Sequence, residues 1–412
     1  MKYGLIGEHL THSFSKQIHK SLGDYEYELK EIPRDKLSEF MEKRDFIAIN
    51  VTIPYKEKVI PYLYYIDEHA KEIGAVNTIV NRNGLLFGYN TDFYGMKMLI
   101  AHAKVELAGK KVAILGTGGT SKTANAVAKS LSAKEVITVS RTSRDGVITY
   151  EDLYENHSDT DVFINTTPLG MYPDIFKKAV DVKRFPNLSG VIDAVYNPLR
   201  TPLIEDAKEL KIPAEGGLYM LVGQGVRASE IFTDKEYEKG TLDNIYEALR
   251  AEKENIVLIG MPSSGKSTVG KALSEKLNRP FIDTDLVIEK KEGKSISEII
   301  NTMGEETFRK IETETVFEVS KNTGVVIATG GGVPLKKENI RALSQNGRVY
   351  FIDRPLSSLL PTEDRPLTST REALEKKFKE RYDIYKASAD VRIDADCSVA
   401  EVLDKILGEF LK

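Results

Sequence analysis

The feature that most constrains the fold is the stretch IVLIGMPSSGKSTVG, at residues 256–270 of the chain. An apolar run ends at Gly260, and the pattern Gly-x-x-x-x-Gly-Lys-Ser continues from there to Ser267. This pattern is typical of a loop between a buried strand and a helix, in which backbone amides surround phosphate groups. The stretch therefore predicts a parallel α/β domain that binds a nucleotide.

The polar residues of this loop and of the next strand predict a phosphoryl-transfer site. Lys266 reaches the β- and γ-phosphate oxygens, and the Ser267 hydroxyl is a ligand of Mg²⁺. Further along, FIDTD places Asp283 and Asp285 at a strand end, where one carboxylate serves Mg²⁺ and the other an attacking hydroxyl. The alternative is a turn with solvated acids. The remaining contacts to the nucleotide in the loop are predicted at Ser263, Ser264, Gly265 and Thr268.

A second glycine loop lies upstream, in VAILGTGGTSKTA at residues 112–124. Gly116, Gly118 and Ser121 occupy the positions of a Gly-x-Gly-x-x-Gly/Ala pattern after an apolar run, which is typical of dinucleotide binding. A tight strand–helix turn without a ligand is the alternative. The predicted contacts in this loop are Gly116, Thr117, Gly118, Gly119 and Thr120.

The strand after this loop predicts which dinucleotide is bound. NAD-binding folds usually end that strand in an acidic residue, whereas VITVSRTSR places Arg141 and Arg144 there. Because arginine pairs well with phosphate, this turn predicts binding of the 2′-phosphate of NADP. The alternative, a basic turn that only contacts solvent, is less favoured. The contacts are predicted at Ser140, Arg141, Thr142 and Arg144.

Chain length places the two loops in separate domains. The chain has 412 residues, too many for one hydrophobic core, and short apolar runs alternate with helical patterns throughout. This alternation predicts an α/β protein with parallel sheets. The boundary between the two halves is expected at a short charged linker, residues 251–255.

Charge and apolar segments argue against several classes of partner. The net charge is -4, which predicts no nucleic-acid binding, and no apolar run approaches the ~18 residues that cross a membrane. The N-terminal residues lack a signal-peptide pattern. The single cysteine, Cys397, excludes a disulfide within the chain and makes a zinc cluster implausible, so it predicts a cytoplasmic protein.

Residues 1–100 predict a pocket for a small polar substrate. The stretches THSFS, NVTIPYKE, GAVNTI and GYNTD are rich in hydroxyl, amide and carboxylate side chains. Among them, Lys56 beside Asp92 can pass a proton to a carbonyl oxygen while a hydride arrives at the carbon. Either residue alone is more often a surface charge.

Across about residues 1–245 the chain resembles shikimate dehydrogenase, in the ordered motifs HSFSKQIH, NVTIPYK, GAVNT, GYNTD, GTGGTSKT, SRTSR, INTTPLGM, DAVYNPLRTPL and GLYMLVGQG. The resemblance implies reduction of 3-dehydroshikimate to shikimate with NADPH. It also implies a substrate domain at residues 1–100, completed by a helix at about 222–250, and a Rossmann NADP domain at residues 101–221.

The same resemblance assigns the residues of this first site. Lys56 is implied as the proton donor and acceptor, paired with Asp92. Gly217 and the neighbourhood of Met171 are implied to line the nicotinamide side. The substrate carboxylate is expected at Ser13 and Ser15, and the substrate hydroxyls at Thr52, Asn77, Asp92, Tyr196 and Gln224.

Across about residues 254–412 the chain resembles shikimate kinase, in GMPSSGKST, FIDTD, GEETFRKIE, VIATGGG and DRPLTS. The resemblance implies an α/β domain of the nucleoside-monophosphate-kinase type that transfers the γ-phosphate of ATP to the 3-hydroxyl of shikimate. Asp285 is implied to activate that hydroxyl and Asp283 to support Mg²⁺. The other implied roles are the carboxylate clamp of Arg309 and Arg381, the ring contacts of Gly331 and Gly332, and a lid arginine, Arg365.

Two alternatives remain open from the sequence. In the first, the second half is a nucleotide-binding regulatory module, although binding alone does not need Asp285, Arg309 or Arg381. In the second, the first half oxidises quinate or a related hydroxy acid with NAD, against which the basic turn argues. The predicted partners are small molecules, 3-dehydroshikimate and shikimate, and the oligomeric state is left open.

Overall fold

The computed structural model describes residues 1–10, 14–361 and 370–411, so the predicted site residues Ser13 and Arg365 lie outside the described residues. The chain forms two compact units. Unit 1 comprises Met1–Asn197 and Thr201–Ala248, and unit 2 comprises Pro198–Arg200 and Leu249–Lys412.

Unit 1 begins with a mixed six-stranded sheet in the order β2-β1-β3-β5-β6-β4. Its strands are β1 (Tyr3–Gly7), β2 (Tyr27–Glu31), β3 (Ala48–Val51), β4 (Tyr65–Ile66), β5 (Thr78–Arg82) and β6 (Leu85–Tyr89). Its helices are α1 (Ser15–Lys20), α2 (Leu37–Lys43), α3 (Glu68–Ile73) and α4 (Thr91–His102). The core of this layer includes Ile6, Ile49, Val51, Ile79 and Leu86, which are all buried.

Two pairs of strands in this sheet, β3–β5 and β5–β6, differ from the parallel arrangement predicted for the whole chain. Strands β5 and β6 run antiparallel. The two residues that join them, Asn83 and Gly84, have φ values of 54° and 84°. Positive φ at both positions is what a tight two-residue hairpin requires, and Asn-Gly is the favoured sequence for it.

The second sheet of unit 1 is parallel throughout, in the order β12-β11-β10-β7-β8-β9. Its strands are β7 (Lys111–Leu115), β8 (Glu135–Ser140), β9 (Val147–Thr149), β10 (Val162–Asn165), β11 (Gly190–Asp193) and β12 (Ala214–Glu215). The helices are α5 (Gly119–Ser130), α6 (Tyr150–Asn156), α7 (Pro202–Glu209) and α8 (Leu218–Thr233), and helix α9 (Thr241–Lys253) begins in unit 1 and ends in unit 2. Strand β10 is buried along its whole length, as expected when helices cover both faces of a sheet.

Unit 2 contains a parallel five-stranded sheet in the order β14-β15-β13-β16-β17. Its strands are β13 (Asn255–Ile259), β14 (Phe281–Asp283), β15 (Val326–Ala328), β16 (Gly347–Asp353) and β17 (Val391–Asp394). The helices are α10 (Lys266–Leu277), α11 (Thr284–Glu292), α12 (Ile296–Met303), α13 (Glu305–Val319), α14 (Lys337–Ser344), α15 (Arg371–Ser388) and α16 (Val399–Phe410). Short 3₁₀ turns elsewhere in the chain cover Arg34–Lys36, Ile60–Tyr62, Val182–Arg184, Val333–Leu335 and Leu356–Ser358.

These sheets confirm the predicted α/β class. Strands β7, β8, β10, β11 and β13 coincide with the apolar runs of the sequence. Helix α9 ends at Lys253 and strand β13 begins at Asn255, so one residue, Glu254, separates them. None of the helices in the described ranges is long and apolar enough to cross a bilayer.

Candidate active sites

Unit 1 contains a cleft of about 360 Å³ beside the first sheet and helix α8. Its lining includes seven of the residues predicted to bind or convert a hydroxy acid, namely Ser15, Thr52, Lys56, Asn77, Asp92, Tyr196 and Gln224, and also Gly217, which was predicted to line the nicotinamide side. Thr120, from the first glycine loop, lines the same cleft. The structure therefore brings together residues that are far apart in the sequence.

The charged centre of this cleft is an ion pair between Lys56 and Asp92. The Lys56 Nζ atom donates to Asp92 Oδ2 at 2.6 Å, and the two side chains are 27% and 18% exposed. Asp92 lies in the first turn of α4, where the positive end of the helix dipole favours a carboxylate. The pair is partly accessible and held in place, which suits a group that gives up and regains a proton.

Two uncharged residues of the cleft present hydrogen-bond donors. Asn77 Oδ1 accepts hydrogen bonds from the Thr91 backbone N–H at 2.8 Å and from Thr78 Oγ1 at 3.1 Å, which leaves its amide NH₂ for a ligand. Burial raises the pKa of the Tyr196 phenol, so its O–H remains a donor at neutral pH. The Tyr196 ring packs edge-on against Phe14, with centroids 5.7 Å apart.

Close helix packing brings the remaining cleft residues into place. A Cβ atom on Gly95 of α4 would lie 2.5 Å from the Met220 carbonyl oxygen and 3.0 Å from the Gln224 backbone nitrogen of α8. Only glycine allows this approach, which places Asp92 and Gln224 in one cleft. Gly217 likewise packs directly against the Ala194 backbone, where a Cβ atom would collide.

A buried network behind the cleft links residues that the sequence did not single out. The Tyr27 hydroxyl donates to Asn50 Oδ1 at 2.7 Å and also hydrogen-bonds to Ser15. Asn50 Nδ2 in turn donates to Thr78 Oγ1 at 3.0 Å, and Thr78 contacts Asn77. Asn50 opens the motif NVTIPYKE and was therefore detectable, whereas Tyr27 carries no local signal.

The first glycine loop and the basic turn meet at one edge of the second sheet. The Gly116 backbone N–H donates to the Val139 carbonyl at 2.8 Å, so the loop lies beside the end of β8. The turn that follows β8 carries Arg141 and Arg144, both exposed. A Cβ atom on Gly118 or Gly119 would meet nothing within 4 Å, so the backbone is open to a ligand. The other predicted contacts in this loop and turn are Thr117, Ser140 and Thr142.

This arrangement fits a dinucleotide with an extra phosphate. The loop leads into α5, whose N-terminus attracts a pyrophosphate. The exposed guanidinium groups lie where the adenosine ribose is bound in such folds. The described lining of the cleft does not include the basic turn, as expected for the far end of a long cofactor.

Unit 2 contains a second cleft, of about 600 Å³, above the carboxyl ends of its strands. Its lining includes the predicted residues Ser263, Gly265, Lys266, Ser267, Thr268, Asp283, Asp285, Arg309, Gly331, Gly332 and Arg381. Ser264 is buried beneath the loop, at 2% exposure. The structure thus brings the described part of the predicted kinase set into one place.

The loop with the Gly-x-x-x-x-Gly-Lys-Ser pattern joins strand β13 to helix α10, which is the strand–loop–helix arrangement that its sequence predicts. Lys266 Nζ donates to the carbonyl oxygens of Gly260 and Met261, each at 2.9 Å. Ser267 Oγ donates to Asp283 Oδ2 at 2.6 Å. A hydroxyl and a carboxylate side by side fit Mg²⁺, which takes few protein ligands and completes its shell with water and substrate phosphates.

The opposite end of this cleft is lined by arginines and glycines. Arg309 Nη1 donates to Glu312 Oε2 at 2.8 Å, and Arg381, 4% exposed, donates to the Gly331 carbonyl at 3.1 Å. A Cβ atom on Gly332 would collide with the Arg309 guanidinium. This end can therefore bind a small carboxylate at close range.

Glu312 is a member of this set that sequence reasoning missed. Burial raises the pKa of its carboxyl group above the usual value, although Arg309 and Arg381 oppose the shift. Its signal was the spacing of Arg309 and Glu312, three residues apart on one helix face.

The two halves of the chain match different families of known proteins. Residues 262–411 match the family described as Shikimate kinase, and residues 5–79 match the Shikimate dehydrogenase substrate binding domain. Over 266 residues the chain is 38% identical to a Shikimate dehydrogenase (NADP(+)) of Clostridium perfringens, covering 60% of this chain and 98% of that protein. A protein of the same name from Halothermothrix orenii is 40% identical over 259 residues, covering 56% of this chain and 90% of the other.

Solved structures resemble unit 1 as well. The chorismate mutase/shikimate 5-dehydrogenase fusion protein from Clostridium acetobutylicum aligns with a TM-score of 0.57 at 37% identity, over 60% of this chain and 96% of that one. Shikimate 5-dehydrogenase from Listeria monocytogenes, in complex with shikimate and NAD, aligns with a TM-score of 0.54 at 28% identity. The alignment covers 60% of this chain and 96% of that one.

Proposed function

We infer that the two clefts carry out consecutive reactions, because the chain belongs to the shikimate dehydrogenase family and continues into a shikimate kinase segment. The protein is a bifunctional enzyme of the shikimate pathway. Its first activity reduces 3-dehydroshikimate to shikimate with NADPH, and its second phosphorylates shikimate to shikimate 3-phosphate with ATP and Mg²⁺. The sequence predictions of both activities and of these cofactors are confirmed. The observation that carries the conclusion is the pairing of Lys56 with Asp92 in one cleft and of Ser267 with Asp283 in the other.

For the first reaction we propose that Lys56 Nζ gives its proton to the carbonyl oxygen of the substrate. NADPH supplies the hydride when it is bound, so a C=O group becomes CH–OH. Asp92 holds Nζ in place at 2.6 Å. The substrate carboxylate is held by Ser15, together with Ser13. The hydroxyls are held by Thr52, Asn77, Tyr196 and Gln224, and the cofactor 2′-phosphate by Arg141 and Arg144.

For the second reaction we propose that Asp285 accepts the proton of the substrate 3-hydroxyl. Asp285 lies on the first turn of α11, next to Asp283, and both line the cleft. Lys266 Nζ contacts two carbonyl oxygens of the loop. We propose that it exchanges these contacts for the phosphate oxygens when ATP binds, because its positive charge then stabilises the transferred phosphoryl group. Arg309 and Arg381 hold the carboxylate of shikimate, and Gly331 and Gly332 allow the ring to come close.

We also propose how the chain is divided and where it works. The substrate domain is residues 1–100 with the helical segment at about 222–250, the Rossmann domain is 101–221, and the kinase domain is 254–412 after the junction at 251–255. Cytoplasmic location is supported by the single cysteine. The partners that we propose are small molecules alone.

One reaction mixture tests the proposed function. Purified protein is given 3-dehydroshikimate, NADPH, Mg²⁺ and ATP, while NADPH absorbance is followed and products are identified by mass spectrometry. Loss of NADPH with formation of shikimate 3-phosphate is the expected result. Loss of NADPH that stops at shikimate would contradict the kinase activity, and no loss of NADPH would contradict the roles given to Lys56 and Asp92. Replacing NADPH by NADH in a parallel mixture tests the cofactor preference.

A further inference from the structure

Arg354 lies at the phosphate loop, although no motif points to it. It directly follows strand β16, which pairs in parallel with β13, and β13 leads into the loop. The register pairs Ile259 with Phe351, so the two strands end at the same edge of the sheet. A Cβ atom on Gly260 would lie only 2.8 Å from the Ile352 carbonyl oxygen, which shows how closely β16 approaches the loop.

The side chain of Arg354 reaches into the cleft. It lines the same cleft as Lys266 and Ser267 and is partly buried. Its Nη1 atom lies 3.9 Å from the position that a Cβ atom on Gly265 would occupy. Gly265 is the last residue before α10, so the guanidinium group lies beside the helix N-terminus that a phosphate approaches.

Arg354 has no acidic partner within the described ranges, whereas two nearby arginines, Arg309 and Arg392, each have one. Arg309 pairs with Glu312, and Arg392 pairs with Asp353 at 2.6 Å. Asp353 precedes Arg354 in the chain, yet its Oδ2 atom already accepts hydrogen bonds from Arg392 and Tyr382. Among the residues that the structure describes, Arg354 makes no ion pair, and its buried Nε atom has no acceptor.

Electrostatics then identifies the missing partner. The guanidinium group lies near the positive end of the α10 dipole and shares its cleft with Lys266, so positive charge is concentrated around the loop. A cation in such a place is unfavourable unless an anion binds between the charges. A phosphate group satisfies both the loop amides and the planar guanidinium fork.

We propose that Arg354 binds a phosphate group of the nucleotide and is a determinant of ATP affinity in unit 2. The inference rests on the proposed kinase activity and adds a contact that lies outside the Gly-x-x-x-x-Gly-Lys-Ser loop. Arg354 contacts the phosphates and not the shikimate end of the cleft, where Arg309 and Arg381 lie.

Equilibrium binding to the full-length protein tests the proposal. Calorimetry would measure the affinity of wild type, Arg354→Ala and Arg354→Gln for MgATP, for adenosine and for shikimate. We expect MgATP affinity to fall about 10- to 100-fold in both variants, as for the loss of a charge-assisted contact, with adenosine and shikimate binding unchanged. Arg354→Lys should recover part of the affinity, and a circular dichroism spectrum and a thermal unfolding curve like those of the wild type would show that each variant is folded.

A matched control and three outcomes decide the matter. Arg392→Ala removes a nearby arginine that is 55% exposed and pairs with Asp353, and it should leave MgATP affinity unchanged. Unchanged MgATP affinity in Arg354→Ala would overturn the inference, and so would an equal loss for adenosine, which would mean that the side chain holds the base. Failure of the wild type to bind MgATP would instead overturn the proposed kinase activity, and the inference with it.

Discussion

At the scale of single residues, the dehydrogenase cleft depends on the Lys56–Asp92 pair. Lys56→Ala removes the proposed proton donor while leaving in place the residues proposed to bind the substrate hydroxyls. We expect kcat for 3-dehydroshikimate reduction to fall by about 10²- to 10⁴-fold, with a smaller change in KM, as for loss of a general acid. Steady-state kinetics would check this. Lys58→Ala, an exposed lysine two residues away, is the control and should behave like wild type.

A second residue-scale prediction concerns Ser263 in the phosphate loop. Its φ of 64° lies in the left-handed region, which costs a residue with a Cβ atom about 1 kcal/mol more than glycine. Ser263→Gly should therefore be more stable than Ser263→Ala by about that amount in urea unfolding. Lys276 lies inside helix α10, where glycine is disfavoured. Lys276→Gly should therefore be less stable than Lys276→Ala, which is the reverse of the order at Ser263. Equal stability of Ser263→Gly and Ser263→Ala would contradict the proposed backbone strain at this position.

Individual residues show where sequence reasoning reaches its limit. Lys266 and Ser267 were predictable because a local pattern carries their chemistry. Tyr27 was not, because its role arises from hydrogen bonds to Asn50 and Ser15 that only the fold creates. Arg354 is similar, since an arginine in a sequence is most often a surface charge and only the pairing of β16 with β13 places it at the loop.

At the scale of elements, the contact between α4 and α8 shapes the first cleft. Gly95→Val should push the helices apart, because a Cβ atom there would lie 2.5 Å from the Met220 carbonyl oxygen. Overpacking of this kind costs about 1–3 kcal/mol. We expect a lower melting temperature and a large loss of dehydrogenase activity, with kinase activity on added shikimate retained. Lys97→Val, on the exposed face of α4, is the matched control.

Helix α1 and strand β2 meet at His19, which makes this contact sensitive to acid. His19 is 1% exposed and stacks on Tyr27, with ring centroids 3.9 Å apart. Burial lowers the pKa of His19 to about 3, from 6.5 in an exposed imidazole. The unfolded chain therefore takes up a proton as the pH falls through 6.5, whereas the folded chain does so only near 3. The stabilising contribution is present above pH 6.5 and is lost as the pH falls towards 3.

The contribution of His19 to the free energy of unfolding is expected to fall by about 2.5 kcal/mol between about pH 7 and pH 4.5. His19→Gln has no such proton uptake, so its unfolding free energy should fall less over this range. Urea unfolding of both proteins at the two pH values measures the difference. Tyr25 and Tyr27 do not interfere, because burial raises the pKa of both phenols. An equal fall in unfolding free energy for the two proteins would contradict the prediction, because His19 would then take up its proton at the same pH in the folded and unfolded chains.

The elements themselves were predictable to different degrees. Strands such as β7, β10 and β13 are nearly continuous apolar runs, which signal burial on both faces of a sheet. Strands β4 and β12 have two residues each and exist only through pairing with a neighbour. The antiparallel β5–β6 hairpin was missed, although Asn83-Gly84 is its local signal.

At the scale of the whole molecule, each activity should depend on its own set of residues. Full-length Lys56→Ala should lack the first activity and Asp285→Asn the second. Neither variant alone should convert 3-dehydroshikimate to shikimate 3-phosphate, but an equal mixture should do so through shikimate free in solution. Product analysis by mass spectrometry checks this. A mixture that accumulates shikimate without phosphorylating it would contradict the prediction, provided that the Lys56→Ala variant phosphorylates added shikimate.

The junction between α9 and β13 has a consequence for the life of the protein in a cell. The only residue between the two elements, Glu254, is 2% exposed, and its carboxylate contacts Arg250 at 3.0 Å and Arg348 at 3.3 Å. Proteases cut where several residues of backbone are exposed and extended, and this junction offers no such stretch. Degradation therefore cannot begin by separating the halves at this point. The reductase and the kinase, which are made together, therefore stay joined through this junction.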